Sequence, residues 1–200
     1  MATQTRPATI SESVPVTVEN FARAESDMYF GGVIKKGSLG AFHHDREPAD
    51  ITHQTVIRLN RDTLYSSAVF DLDAGPVTIT LPDAGKRFRS MQVINEDQYT
   101  QEVNYDAGSY PLTREKIGTR YVVVAIRTLV DPTDPKDLEQ VHALQDSIKV
   151  EQASPGKFEV PNWDHESQKK VRDALLVLST TLPDSKNMFG RKDQVDPVRF

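Results

Sequence analysis

Two segments with strand-like patterns limit what this chain can fold into more than any other feature. Between residues 77 and 81, Val77, Ile79 and Leu81 alternate with two threonines, which is the pattern of a strand with one buried face. Residues 121–126 are all Tyr, Val, Ala or Ile, which is typical of a central strand covered on both faces. Together these segments predict a β-sheet.

Turn residues separate further candidate strands. Residues 64–72 also alternate, and residues 73–76 (Asp-Ala-Gly-Pro) form a turn signal, so we expect residues 64–81 to form a β-hairpin with the apolar positions facing the core. A second turn signal and strand-like patterns near residues 88–95 and 99–105 follow. At least five short strands with turns between them favour an antiparallel β-sandwich over a parallel α/β fold.

Helical patterns lie before and after these strands. Thr17 is a candidate N-cap for a helix that we expect to end near Gly31 and Gly32. Residues 35–54 show no periodicity and are expected to form a long loop. Asp134 followed by Pro135 predicts the start of a second helix, in which apolar residues recur at helical spacing and dock on the sheet: Leu138, Val141, Leu144 and Ile148.

A third helix is expected over residues 166–178, closed by Pro183. The predicted fold class is therefore mainly β, an antiparallel β-sandwich with an N-terminal helix and two C-terminal helices. The first residues are rich in Thr, Ser, Pro and Ala. We expect residues 1–13 to be a flexible tail and residues 14–200 to form a single domain.

Composition excludes several classes of function. The chain has no cysteine, which rules out disulfides, thiolate metal ligands and cysteine nucleophiles. It has 24 Lys and Arg against 29 Asp and Glu, a net charge of −5, with no basic block, so we expect no nucleic-acid partner. No apolar run is long enough for a membrane span, and the first thirteen residues lack the apolar core of a secretory signal, so we expect a cytoplasmic protein without a membrane partner.

The densest polar cluster comprises Asn60, Arg61, Asp62 and Thr63, followed by Tyr65. An arginine beside an aspartate can hold a carboxylate or a hydroxyl-rich ligand, and Asp62 and Tyr65 are able to move protons. We expect Arg61 and Asp62 to lie partly buried at the mouth of a cleft. The alternative is a turn whose side chains only satisfy the backbone.

Three histidines and several acids occupy the long loop. His43, His44 and His53 would suit Zn, Mn or Fe together with neighbouring carboxylates. Adjacent histidines in a strand point apart, however, and no recognised ligand spacing is present. A solvated loop is the alternative, and no sequence motif identifies a cofactor.

Two further positions are candidate site residues. Glu96, next to Asp97 at a strand end, could act as a general base, as paired carboxylates do in glycoside hydrolysis; the alternative is an ordinary turn. Trp163 could stack on a sugar ring, or it could be a packing anchor.

One long string carries a resemblance to a known family. Residues 60–97, NRDTLYSSAVFDLDAGPVTITLPDAGKRFRSMQVINED, resemble the family known as domain of unknown function 1254. The likeness extends over about residues 16–165, from VTVENFARAESDMYF to the PNWD stretch. It implies a β-sandwich with immunoglobulin-like layering and no established reaction. Longer relatives carry a second β-rich domain, so a site between domains would here need another subunit, and a homo-oligomer is one expectation.

Three hypotheses of function follow. The first is a module that binds a small polar or sugar-like ligand at Asn60, Arg61, Asp62, Tyr65 and Trp163. The second is a hydrolase or lyase with Asp62 or Glu96 as base and Tyr65 as acid, with or without a metal on the histidine loop. The third is a structural or assembly protein without a small-molecule site.

Overall fold

A computed structural model describes residues 12–52 and 60–182. The chain divides into two compact units. The first contains the described parts of Met1–Glu25 and Glu159–Phe200, and the second is Ser26–Phe158. The single domain over 14–200 stays a prediction, and the predicted tail and the closing proline at 183 fall largely or wholly outside the described residues.

Two antiparallel sheets form the second unit. The five-stranded sheet has the order β1-β2-β7-β4-β5 and the three-stranded sheet the order β6-β3-β8. The strands are β1 (His43–His44), β2 (Thr63–Asp71), β3 (Val77–Leu81), β4 (Arg89–Asn95), β5 (Thr100–Asn104), β6 (Gly108–Leu112), β7 (Tyr121–Leu129) and β8 (Lys149–Gln152). The apolar run at residues 121–126 lies in β7, which pairs with β2 and β4 on its two sides, so the prediction of a central strand is confirmed.

The hydrophobic core lies between the two sheets. Each sheet contributes fully buried side chains, among them Ala68, Phe70, Val77, Ile79, Leu81, Met91, Val93, Leu112, Val122, Val124 and Ile126. The inward face predicted for β3 is therefore confirmed, and so is the mainly β, antiparallel sandwich.

Helices precede and follow the strands, as predicted. The described helices are α1 (Phe21–Ile34), the short α2 (Arg114–Ile117), α3 (Pro135–Asp146) and α4 (His165–Ser179). Helix α3 begins as the sequence predicts, with Pro135 in its first turn and the Asp134 side chain accepting the Lys136 N–H at 2.9 Å. None of the described helices combines the length and the apolarity needed to cross a membrane.

The first unit is held by polar contacts around α4. Glu25, which is buried, accepts hydrogen bonds from the Gln168 amide at 2.7 Å and from the Arg172 guanidinium. Asp164 caps α4 by accepting the Glu166 N–H at 3.1 Å. A buried carboxylate stays charged only when it is paired in this way.

The predicted hairpin over residues 64–81 is wrong. Strand β2 belongs to the five-stranded sheet and β3 to the three-stranded sheet, and a 3₁₀ turn at Leu72–Ala74 joins them. Leu72 is buried in the core, and its N–H donates to the Arg120 carbonyl at 2.8 Å. This anchor carries the chain from one sheet to the other. The hairpin prediction failed because the same turn residues are compatible with a hairpin and with a change of sheet.

Helix α1 also departs from the expected limits. It begins at Phe21, after the predicted cap at Thr17, and continues through both glycines to Ile34. The carbonyl of Gly31 accepts the Lys35 N–H at 3.1 Å. The left-handed residue that follows the helix is Gly37, with φ of 86°. Because the helix continues through Gly31 and Gly32, tertiary packing has overridden the low helix propensity of this pair.

Candidate functional site

One face of the five-stranded sheet points away from the three-stranded sheet, and we call it the outer face. Because Leu64, Ala68 and Phe70 are buried on the core side, strand alternation places Thr63, Tyr65, Ser67 and Val69 of β2 on the outer face. Tyr65 lies directly opposite Arg127 of β7 in the register. Hydroxyl groups and a guanidinium thus share one end of this face.

Arg127 and Tyr65 contact each other there. The guanidinium carbon of Arg127 lies 5.8 Å from the centre of the Tyr65 ring, a distance at which a cation is attracted to an aromatic face. Both residues are half-buried. The Nε of Arg127 is buried and has no hydrogen-bond partner among the described residues, so a strong donor is held in place without an acceptor.

Thr63 provides a second unpaired polar atom on the same face. The residue is only 3% exposed, and its Oγ1 has no hydrogen-bond partner in the described part of the chain. Thr63 pairs with Leu129 in the register, which makes Arg127 its diagonal neighbour at roughly 7–8 Å. Buried polar atoms are nearly always paired, so two unpaired atoms on adjacent strands distinguish this end of the outer face.

His43 and His44, two of the three predicted metal ligands, lie on the edge strand β1 and point apart. His43 is opposite Ser67, and its Nε2 lies 3.2 Å from Asp45 Oδ1. His44 points to the core side, where its Nδ1 lies 2.7 Å from the Ser66 hydroxyl. Burial, and then the positive charge of the nearby Arg46, lower the pKa of His44, so its imidazole is neutral at neutral pH.

The structure describes only part of the predicted metal site. Among residues 12–52 and 60–182, no group of three or more His, Asp or Glu side chains is arranged to hold a metal ion. His53, the third predicted ligand, lies outside the described residues. The metal site at His43, His44 and His53 stays a prediction.

The polar cluster before β2 is arranged as a turn. The Asp62 N–H donates to the Asn60 side-chain oxygen at 2.9 Å, and the Asp62 carbonyl accepts the Val130 N–H at 2.9 Å. Arg61 and Asp62 are both exposed, so the expectation that they lie partly buried at a cleft is wrong. Both residues precede β2, and the burial of the strand begins only at Thr63.

Glu96 lies far from this end of the sheet. It is buried and accepts the Tyr121 N–H at 2.8 Å. Tyr65 is aligned with Ser90 through Arg127, and Glu96 lies six residues beyond Ser90, just past the end of β4, a distance of about 20 Å. Glu96 and Tyr65 are therefore not brought together as the base and acid of one reaction.

Trp163 belongs to the first unit. Val14 and Trp163 form an isolated parallel bridge, and the Trp163 N–H donates to the Pro161 carbonyl at 2.9 Å. The residue is half-buried. Its backbone role supports the packing alternative, and stacking on a sugar ring stays a prediction.

Sequence reasoning found Tyr65 but missed its partner. Arg127 closes the apolar run of β7, and a charged residue at a strand end usually indicates solvent. The available signal was alternation: Val123, Ala125 and Arg127 occupy the face opposite to the buried Val122, Val124 and Ile126. Only the register shows that this face also carries Tyr65.

Comparison with known proteins agrees with this fold. The chain is similar to the VPA0106 protein of Vibrio parahaemolyticus, known from a crystal structure, with a TM-score of 0.66 and 14% sequence identity. The match covers 91% of this chain and 62% of that protein, so the chain spans less than two thirds of its neighbour. No curated protein matches. A model of the family described as "Protein of unknown function (DUF1254)" matches residues 39–118, which confirms the resemblance seen in the sequence over a shorter stretch than expected.

Proposed function

We propose that this chain binds a small, hydroxyl-rich carboxylate, such as a sugar acid, on the outer face around Thr63, Tyr65 and Arg127. The observation that supports this most is the buried, unpartnered Nε of Arg127, held over the Tyr65 ring. A guanidinium presents its donors in a planar fork that matches a carboxylate. An arginine retained only for the fold would be expected to have its buried nitrogen paired with protein.

The neighbouring groups favour a ligand that also carries hydroxyls. Thr63 has an unpaired hydroxyl, Ser67 lies four residues further along the same strand face, and hydroxyls both donate and accept. The Tyr65 ring supplies a flat apolar surface of the kind that packs against a sugar ring. Polar or sugar-like ligands were the first hypothesis from the sequence, and the proposal moves their position from Arg61 and Asp62 to the strand that follows.

The other hypotheses remain predictions. A hydrolase or lyase would need a base close to Tyr65, and Asp62 is the sequence-predicted base that is near it along the chain. A structural or assembly role would require Arg127 and Thr63 to serve only the sheet. The cytoplasmic location and a homo-oligomer likewise stay predictions from the sequence.

The test compares two arginines of different exposure. Arg127→Met keeps an unbranched apolar side chain but removes every donor, and Arg61→Met makes the same change at the exposed arginine of the turn. Binding of glucuronate, galacturonate and gluconate, with glucose and galactose as neutral controls, would be measured by isothermal titration calorimetry. We expect the acids to bind better than the neutral sugars, and Arg127→Met to weaken binding by about tenfold or more, as loss of a charged hydrogen bond should.

Three results would count against the proposal. Absence of binding by every acid tested would remove the proposed ligand class. Unchanged binding in a folded Arg127→Met protein would remove the site. Loss of binding with Arg61→Met alone would return the site to the turn that the sequence first indicated.

A further inference from the structure

A cavity between α1 and the five-stranded sheet takes no part in the site described above. Its volume is about 290 Å³, and all of its lining residues belong to the second unit: Ser26, Tyr29, Phe30, Val33, Ile94, Gln98 and Val123. Five of these seven side chains are aliphatic or aromatic. We propose that this cavity is a binding site for a small, mainly apolar molecule that carries one hydrogen-bonding group.

The size of the cavity sets the size of its occupant. Protein interiors are close-packed, with few voids larger than a water molecule. A cavity of about 150 Å³ with apolar walls holds one benzene molecule, and this one has roughly twice that volume. A single ring with a short alkyl substituent, of about ten non-hydrogen atoms, is therefore the right scale.

Ser26 determines the polar part of the occupant. It is 2% exposed, and its hydroxyl has no hydrogen-bond partner among the described residues. A buried hydroxyl without a partner is uncommon, and Ser26 is one of the residues that line the cavity. An occupant with one donor or acceptor would satisfy this hydroxyl.

The opposite wall is built rigidly. Gln98 is the only described residue other than glycine with a positive φ, at 63°. Its N–H donates to the Asn95 carbonyl at 3.0 Å, and the buried Asn95 side chain accepts the Asp97 N–H at 3.1 Å and the Tyr99 N–H at 3.0 Å. A left-handed glutamine is retained only where its surroundings fix it, and such positions cluster at functional sites.

The mouth of the cavity lies on the helix side. Tyr29 is 62% exposed although it lines the cavity, whereas its neighbour Phe30 is buried. Tyr29 thus stands between the cavity and solvent, and a small molecule can enter beside it without unfolding of the sheet.

The experiment measures binding of 4-propylphenol and of n-propylbenzene, which differ only in one hydroxyl. Each would be titrated by nuclear magnetic resonance into the unmodified chain and into Ser26→Ala. In the unmodified chain we expect saturable binding of both, with the phenol preferred by about tenfold, as one additional hydrogen bond gives. In Ser26→Ala that preference should fall to about one, while propylbenzene binding stays the same.

Cavity-filling variants test the location. Val33→Phe on α1 and Ile94→Phe on β4 each place extra volume inside the cavity, so at least one folded variant should lose binding of both probes. Val103→Phe is the matched control, because Val103 is exposed on β5 and does not line the cavity. Arg127→Met should leave both probes bound, which separates this site from the proposed sugar-acid site.

The inference is overturned if neither probe saturates, or if every folded cavity-filling variant binds both probes as well as the unmodified chain does. A phenol preference that survives Ser26→Ala would overturn the role of the serine hydroxyl.

Discussion

The sharpest prediction concerns Gly156, which packs directly on a buried carboxylate. Gly156 has φ of 68°, and a Cβ built on it would lie 2.5 Å from Asp71 Oδ2 and 2.6 Å from Asp71 Cβ. Asp71 cannot move aside freely. Arg120 donates to its two carboxylate oxygens at 3.1 and 3.0 Å, and the Lys157 N–H donates at 3.2 Å.

The expected loss in the free energy of unfolding for Gly156→Ala has two parts. A left-handed backbone costs an L-residue about 1–2 kcal/mol. Displacing Asp71 would disturb hydrogen bonds to a charged group, and each such bond contributes about 1.5–3 kcal/mol. We therefore expect Gly156→Ala to lower the free energy of unfolding by about 3–5 kcal/mol, with at least one bond lost.

Gly37→Ala is the matched control. Gly37 has φ of 86°, and an added Cβ there meets nothing within 4 Å, so only the backbone cost of about 1–2 kcal/mol applies. Urea unfolding of both variants, followed by circular dichroism, gives the difference directly. Equal losses for Gly156→Ala and Gly37→Ala would refute the contact with Asp71 as the cause.

Two further predictions concern α3. The Arg87 guanidinium and the Asp131 N–H lower the pKa of Asp137 to about 2. This stabilisation is complete above the unfolded pKa near 4 and is lost as the pH falls through the folded pKa of about 2, so in urea unfolding Asp137→Asn should cost about 1–2 kcal/mol at pH 7 and about half of that at pH 3. An equal cost at both pH values would contradict it. Val141 is fully buried and Leu144 is half-buried. Val141→Ala should therefore lower the free energy of unfolding by about 2 kcal/mol and Leu144→Ala by no more than that, although a leucine truncation in a core usually costs more. A much larger loss for Leu144→Ala would show that the wrong face of α3 had been assigned to the sheet.

Alternation predicted the faces of the strands but not their partners. The buried positions of β2 and β3 follow from their sequences, because apolar residues recur at every second place. Which sheet each strand joins depends on the anchor at Leu72, which the turn residues do not encode. The short edge strands β6 and β8 were missed, because Gly108–Leu112 contains a proline and Lys149–Gln152 has one apolar residue.

For a related reason, the sequence predicted only part of the candidate site. Tyr65 stood out because it follows a concentrated run of polar residues. Its partner Arg127 is distant in sequence, and the two meet only through the pairing of β2 with β7. The polar run therefore indicated the strand of the proposed site, but it overstated the turn residues, whose side chains are exposed.

The outer face of the five-stranded sheet changes in character along β2 and β7. On β2 the outer-facing residues change from Ser67 to the fully buried Val69, and Val69 lies opposite Val123 of β7. Val123 also lines the cavity beneath α1. On β7 the outer face is thus apolar at Val123, beneath α1, and carries a guanidinium four residues further along, at Arg127. A longer apolar surface under a longer cover would add stability, so the proposed sugar acid would account for the hydroxyls and the guanidinium at this end, and the Arg127→Met titration tests that account.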